Sequence, residues 1–97
     1  MISYLLASKR EVVSTFRLMG IRGEWQPEAG FERFQELFQA EEYGLLFVGD
    51  GIIQGHEEDI QKLKATGKKI ILLIPEQGGD MLASVRGQIE QSLGMKV

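Results

Sequence analysis

Apolar positions along the chain follow two alternating patterns, one typical of buried strands and the other of amphipathic helices. Short, mostly apolar runs predict strands at residues 2–7, 21–25, 45–48 and 70–74. After each run, apolar residues recur at every third or fourth position, which predicts a helix with one buried face. The apolar positions of these helices are Val12, Phe16 and Met19; Phe31, Phe34, Leu37 and Phe38; Ile53, Ile60 and Leu63; and Leu82, Val85, Ile89 and Leu93.

Capping and turn residues mark where several of these elements begin and end. Ser8 is a candidate N-cap for the first helix, and Gly20 follows its last turn. Pro27 and the acid after it predict the start of the second helix, since proline suits a first helical turn. Gly49–Gly51 predict a turn after the third strand, and Pro75 ends the fourth.

The order of the elements is strand then helix, four times over. Strands joined by helical crossovers pair in parallel, and right-handed crossovers place helices on both faces of the sheet. The second strand alternates apolar and polar residues as an edge strand does, whereas the first and third do not. The sequence therefore predicts an α/β fold: a single doubly wound, Rossmann-like or flavodoxin-like domain over residues 1–97, with a four-stranded parallel sheet in the order 2-1-3-4.

Composition narrows the classes of function. A chain of 97 residues fits one domain, and its net charge of −3 argues against a protein that coats nucleic acid or an anionic membrane. The absence of cysteine excludes disulfides, thiolate nucleophiles, iron–sulfur clusters and zinc ribbons. The single histidine excludes a histidine-rich metal site.

Hydropathy and charge patterning bear on location and partners. The longest apolar run, Ile70–Ile74, is far shorter than the roughly 20 residues that span a bilayer, and no secretory signal opens the chain, so we expect a cytoplasmic protein.

Residues 25–60 carry nine acids and one basic residue, Arg33. This stretch is interpreted as a solvated helical face, with a docking surface for a basic partner as the alternative.

The loops at the carboxyl ends of the strands are the candidate sites, because open α/β sheets bind ligands there. A phosphoacceptor receiver domain would need an acidic pair after the first strand to hold magnesium beside Asp50. Ser8, Lys9 and Arg10 occupy that position instead. The sequence therefore speaks against a receiver domain.

A glycine string, Gly49–Gly55, has the spacing G-x-G-x-x-x-G after the third strand, and Glu76 follows the fourth. Such glycines let a pyrophosphate approach a helix N-terminus, and an acid can hold a ribose hydroxyl. The favoured interpretation is a tight turn that needs glycine for its backbone, and a nucleotide-binding regulatory domain is the alternative. No Walker phosphate loop occurs in the chain, so we do not expect it to hydrolyse ATP by itself.

His56 lies at helical spacing between Ile53 and Ile60. It is either a general base or pH switch, or a histidine at the rim of the core. The second interpretation is favoured because no nucleophile or carboxylate is clearly set as its partner, and a free-standing small enzyme is disfavoured for the same reason. The residues alone indicate a non-catalytic α/β domain that works through a surface, with no catalytic, cofactor-binding or metal-ligating residues.

Four segments resemble the F subunit of the V-type and A-type rotary ATPases, in order and spacing over nearly the whole chain. Val12–Ile21 is similar to the family's first helix and second strand, and Glu42–Val48 to its third strand with its lead-in. Ile70–Pro75 resembles the fourth strand and its terminating proline, and Val85–Gly94 the closing helix.

The chain departs from this family at two loops. The family commonly has a glycine-aspartate turn after the first strand, where this chain has Ser8-Lys9, and threonine-glutamate after the third, where this chain has Gly49-Asp50. The resemblance implies a non-catalytic rotor component without a cofactor. Such a component binds the coiled-coil shaft, which is the D subunit, and turns inside the catalytic ring of A and B subunits. The assembly couples ATP turnover to ion transport through a separate membrane sector.

The fourth strand is apolar throughout, yet the predicted order places it at an edge of the sheet. A bare apolar edge invites strand pairing, so we expect either the C-terminal residues 95–97 or a partner to cover it. The resemblance favours a partner. The expected shaft interface comprises Gln77, Gly78, Gly79, Met95 and Val97.

Overall fold

The sheet has the predicted architecture: four strands, all parallel, in the order β2-β1-β3-β4. The structure is a computed structural model that describes residues 2–76 and 87–88. The strands are β1 (Ile2–Ala7), β2 (Gly23–Trp25), β3 (Tyr43–Gly49) and β4 (Ile70–Ile74). The helices are α1 (Arg10–Leu18), α2 (Gly30–Gln39), α3 (Asp50–Ile53) and α4 (Glu57–Ala65). The apolar positions of the last predicted helix, Leu82, Val85, Ile89 and Leu93, lie outside the described residues.

The two faces of the sheet bury separate apolar clusters, as predicted for helices on both sides. Side chains alternate between the faces along each strand, so Leu6 joins one cluster and Leu5 the other. The first cluster lies under α2, α3 and α4 and includes Leu6, Phe34, Leu37, Phe38, Leu46, Val48, Ile52, Ile53, Ile60 and Ile71. The second lies under α1 and includes Leu5, Ala7, Val12, Val13, Phe16, Phe47, Leu72 and Ile74.

The ends of α1 differ from the sequence prediction. Lys9, not Ser8, is the N-cap residue, because the amide and hydroxyl of Ser8 are both turned towards Glu76. Met19 was predicted on the buried face but is 49% exposed, since it lies beyond the last helical residue. Ile21 donates its N–H to the carbonyl of Phe16 and so belongs to the turn, which shortens β2 from the predicted 21–25 to 23–25.

The second helix starts three residues later than Pro27 predicts. Ala29, the residue before α2, has left-handed backbone with φ 53°, and α2 then begins at Gly30. A Cβ built on Gly30 would lie 2.5 Å from Cδ1 of Ile52, so a larger residue here would require the Ile52 side chain to move. Pro27 therefore lies in the connection before α2. The helix itself begins at Gly30, which packs closely against Ile52 of α3.

The region predicted as a turn followed by one helix is two helices instead. Helix α3 begins at Asp50, directly after β3, and runs only to Ile53. Gly55 then has φ 87°, a left-handed conformation that ends α3 and redirects the chain. His56 is the N-cap residue of α4, so Ile53 and Ile60 are both buried but belong to different helices.

The open edge of β4 is engaged by a side-chain amide of the same chain. Oε1 of Gln88 accepts a hydrogen bond of 2.6 Å from the N–H of Leu73, and Nε2 of Gln88 donates to the carbonyl of Leu73. The amide thus meets the backbone donor and acceptor of one strand residue as a neighbouring strand would. Whether residues 95–97 also cover this edge lies outside the described residues.

Candidate functional site

At the carboxyl-terminal edge of the sheet, the carboxylate of Glu76 joins the loops that follow three different strands. Oε2 of Glu76 accepts hydrogen bonds of 3.0 Å from the backbone N–H groups of both Ser8 and Lys9. Oε1 accepts one of 2.7 Å from the Ser8 hydroxyl and one of 3.1 Å from the N–H of Gly51. The backbone N–H of Glu76 donates in turn to Oδ1 of Asp50, at 3.2 Å. Glu76 is only 8% exposed, so these bonds replace its contacts with water.

The glycines of the Gly49–Gly55 string are explained by this carboxylate. A Cβ built on Gly49 would lie 2.1 Å from Oε1 of Glu76, closer than two non-bonded atoms can approach. A Cβ on Gly51 would lie 2.3 Å from Oγ of Ser8. The first two glycines therefore make room for Glu76 and its partner, and the third, Gly55, provides a left-handed turn. The structure favours a structural role for the string, as the sequence did.

Glu76 also occupies the place where an α/β protein of this kind would bind a phosphate. The amides of Ser8 and Lys9 lie at the N-terminal end of α1, and amides in that position are the usual donors to an anion. In this chain the anion is an internal carboxylate. The nucleotide hypothesis assigned Glu76 to a ribose hydroxyl, whereas its oxygens are already committed to the chain itself.

We expect ATP, ADP and NAD to bind the purified protein no more tightly than about millimolar, and the protein alone not to hydrolyse ATP. A phosphate would have to displace a carboxylate that holds four hydrogen bonds. Titration calorimetry with each nucleotide measures the affinity directly. A micromolar dissociation constant for any of the three would show that Glu76 yields its place to a phosphate.

Trp25 lies at the same edge beside Arg10, and no sequence motif pointed to it. The Trp25 indole is 40% exposed, and its Nε1–H donates to the carbonyl of Ser8 at 2.9 Å. The guanidinium of Arg10 lies 4.6 Å above the centre of the indole, within the range of a cation–π contact. Both side chains line a shallow groove of about 510 Å³. The available signal was the tryptophan itself, since a fixed, exposed tryptophan is unusual away from binding surfaces.

His56 lies at the rim of the core, as the favoured interpretation predicted. Its ring stacks on that of Phe31, with centroids 3.9 Å apart and planes 4° from parallel. Nδ1 is 3.7 Å from Oδ2 of Asp59, one helical turn along α4. No serine or threonine hydroxyl of the described residues hydrogen-bonds to the imidazole. The geometry supports a packing role for His56.

A second cluster of charged and polar side chains, only partly buried, lies between β1, β2 and α2. Nε of Arg33 donates to both carboxylate oxygens of Glu24 at 3.0 Å, and the Tyr4 hydroxyl donates to Oε1 at 2.9 Å. Burial of Glu24 opposes its ionisation, but hydrogen bonds from Arg33, Gln26 and Tyr4 outweigh it and hold its pKa below the usual value. Burial and the neighbouring Glu24 raise the pKa of Tyr4 to about 12. All these groups satisfy one another, so the cluster joins the elements and offers no reactive group.

The residues predicted to meet the shaft, namely Gln77, Gly78, Gly79, Met95 and Val97, lie outside the described residues. Glu76 is the last described residue before the first three of them, and its carboxylate is fixed at the carboxyl-terminal edge. The segment that begins at residue 77 therefore starts from a defined point beside Ser8 and Asp50.

Comparison with known proteins agrees with the resemblance noted in the sequence. Within residues 2–76 and 87–88, no helix has both the length and the apolar character needed to cross a bilayer. No curated protein sequence is detectably similar to the chain. A family model described as the ATP synthase (F/14-kDa) subunit matches residues 5–92, which include the second half of β1 and every later described strand and helix. The chain therefore belongs to the F-subunit family of the V-type and A-type ATP synthases.

Proposed function

We propose that this protein is a non-catalytic central-stalk subunit of a V-type or A-type rotary ATPase or ATP synthase. It binds the coiled-coil shaft, the D subunit, and turns with it inside the ring of catalytic A and B subunits. In this way it helps to couple ATP turnover to ion transport. It is cytoplasmic and reaches the membrane through the complex. The observation that carries the proposal is the match to the F-subunit family over residues 5–92.

The carboxyl-terminal edge of the sheet supports the non-catalytic part of the proposal. Enzymes of the open α/β class place substrate and catalytic groups at this edge. Here the same position is filled by Glu76, whose carboxylate is bonded to Ser8, Lys9 and Gly51. The alternative of a nucleotide-binding regulatory domain would need these backbone donors free, so it is not favoured.

The shaft interface is proposed to lie beyond β4 and to include Gln77, Gly78, Gly79, Met95 and Val97. Two features of the described residues support this side. Strand β4 forms one outer edge of the sheet, next to β3. Glu76 is anchored at the end of β4, so the glycine-containing segment that follows it starts from a fixed point on this side. A long helical shaft laid against this side would pass the end of β4.

Deletion of residues 95–97 should weaken binding to the D subunit by about tenfold while leaving the far-ultraviolet circular dichroism unchanged. The physical reason is the loss of two apolar contact residues, Met95 and Val97, from the interface. Binding is measured by calorimetry between the purified protein and the recombinant shaft.

The matched control is Glu32→Lys, which reverses a charge on the exposed side of the acidic helix α2. We expect this variant to bind the shaft as the unmodified chain does. Weaker binding by Glu32→Lys together with unchanged binding by the deletion would place the interface on α2 instead. Failure of the unmodified chain to bind the shaft at all would contradict the proposed function itself.

A further inference from the structure

The amino-terminal edge of the sheet carries an exposed apolar and basic surface, here called the amino-edge patch and defined as Arg17, Leu18, Met19 and Arg22. Leu18 is 90% exposed and Met19 is 49% exposed. Leu18 is the last residue of α1, and Met19 is the C-cap residue directly after it. Two successive apolar residues this open to water are less ordinary than a single exposed leucine.

A groove lies at the start of the edge strand β2, along the turn that follows Met19 in the chain. Its volume is about 550 Å³, and Arg17 and Arg22 both line it. Both arginines would therefore border a chain that enters the groove. The lining residues are Tyr4, Arg17, Gly20, Ile21, Arg22 and Gly23.

The charge of the patch is uncompensated within the described residues. Neither Arg17 nor Arg22 makes an ion pair or a side-chain hydrogen bond there, and both are exposed. Glu24, the acid nearest in sequence to Arg22, is committed to Arg33 and to the Tyr4 hydroxyl. The exposed acids before β3, Glu41 and Glu42, lie on the other side of β1 from β2.

The backbone of the patch is held in place before any partner arrives. The N–H groups of Gly20 and Ile21 donate at 3.0 Å to the carbonyls of Arg17 and Phe16, and the N–H of Leu5 donates at 2.9 Å to the carbonyl of Arg22. Gly20 has φ 83°, a turn conformation that suits glycine. A surface fixed in this way loses little backbone freedom when a partner binds, which favours affinity.

We propose that the amino-edge patch is a docking surface for an acidic segment of a partner chain, which inserts an apolar side chain beside Leu18 and Met19 and pairs its carboxylates with Arg17 and Arg22. The charge complementarity selects an acidic partner over a basic one. This surface lies beside β2, whereas the shaft interface is proposed on the side of β4, the other outer strand. The inference does not depend on binding of the shaft.

The test uses the full chain and two synthetic helical peptides that share one leucine stripe, flanked by glutamate in the first and by lysine in the second. Fluorescence anisotropy should show binding of the glutamate peptide, weakened by added salt, and at least tenfold weaker binding of the lysine peptide. Charge reversal in the double variant Arg17→Glu/Arg22→Glu should abolish this preference. Leu18→Glu alone should weaken binding of the glutamate peptide by about tenfold.

The matched control is Lys62→Glu, which reverses an exposed basic residue on α4, on the other face of the sheet from α1, and should change the affinity less than about twofold. Equal binding of the two peptides, or equal effects of Lys62→Glu and the double variant, would overturn the proposal. So would no binding of the glutamate peptide. A dimer in sedimentation velocity that Leu18→Glu dissociates would also overturn it, because the patch would then belong to a second copy of the chain.

Discussion

Phe34→Ala should lower the free energy of unfolding by about 3–5 kcal/mol, a large part of the ~5–15 kcal/mol that stabilises a typical domain. Phe34 is 0% exposed and lies at the centre of the cluster beneath α2, with Phe31 and Phe38 packed on either side of it. Removal of its ring leaves a cavity that the sheet cannot close. Urea unfolding followed by circular dichroism measures the loss.

The matched control for this prediction is Phe31→Ala, the same chemical change one helical turn earlier. Phe31 is only partly buried and stacks on His56 at the rim of the core. Solvent can fill part of the space that its ring vacates, so the loss should be clearly smaller than for Phe34. If Phe34→Ala lowered the free energy of unfolding by less than about 1 kcal/mol, Phe34 would not be a core residue.

Glu76→Ala should lower the free energy of unfolding by about 2–4 kcal/mol, an unusually large effect for removal of a carboxylate. The substitution leaves the backbone donors of Ser8, Lys9 and Gly51 without their acceptor. It also disconnects the loops after β1 and β3 from the end of β4. Part of the loss is offset because a buried negative charge no longer has to be desolvated.

Two further measurements separate loss of the carboxylate from general damage. Glu41→Ala removes an exposed acid ahead of β3 and should change stability by less than about 0.5 kcal/mol. Acetate or phosphate should restore stability to Glu76→Ala more than chloride of equal ionic strength does, because either anion can occupy the vacated donors. Equal stability of Glu76→Ala and the unmodified chain would show that the hydrogen bonds of Glu76 contribute nothing net.

The sheet was predictable from the sequence because its causes are local. Apolar and polar residues alternate in 21–25, which indicates an outer strand, whereas the continuous apolar run 45–48 indicates an inner strand. These two short patterns determine much of the predicted strand order. The buried faces of α1 and α2 follow from helical periodicity in the same way, with Val12, Phe16, Phe34 and Phe38 all buried as expected. The buried face of a helix can be predicted because it follows from the spacing of apolar residues within the helix itself.

The site was less predictable because its causes are distant in sequence. Glu76 meets Ser8 across 68 positions, and no spacing rule connects them. The close contact of Gly30, at the start of α2, with Ile52 likewise joins residues that are distant in sequence. The division into α3 and α4 was missed for a different reason: the glycine string was interpreted as one tight turn before a single helix, whereas the left-handed backbone of Gly55 follows a short first helix.

The pairing of the Gln88 amide with Leu73 bears on aggregation of the protein before it is incorporated into a complex. Newly made copies of a chain with an open parallel edge are exposed to one another, and edge-to-edge pairing is a common route to aggregates. In this chain the backbone of Leu73 is occupied by a group that the chain itself supplies. The backbone groups of Leu73 are therefore not available to a strand of another copy, so unassembled copies are protected at this position.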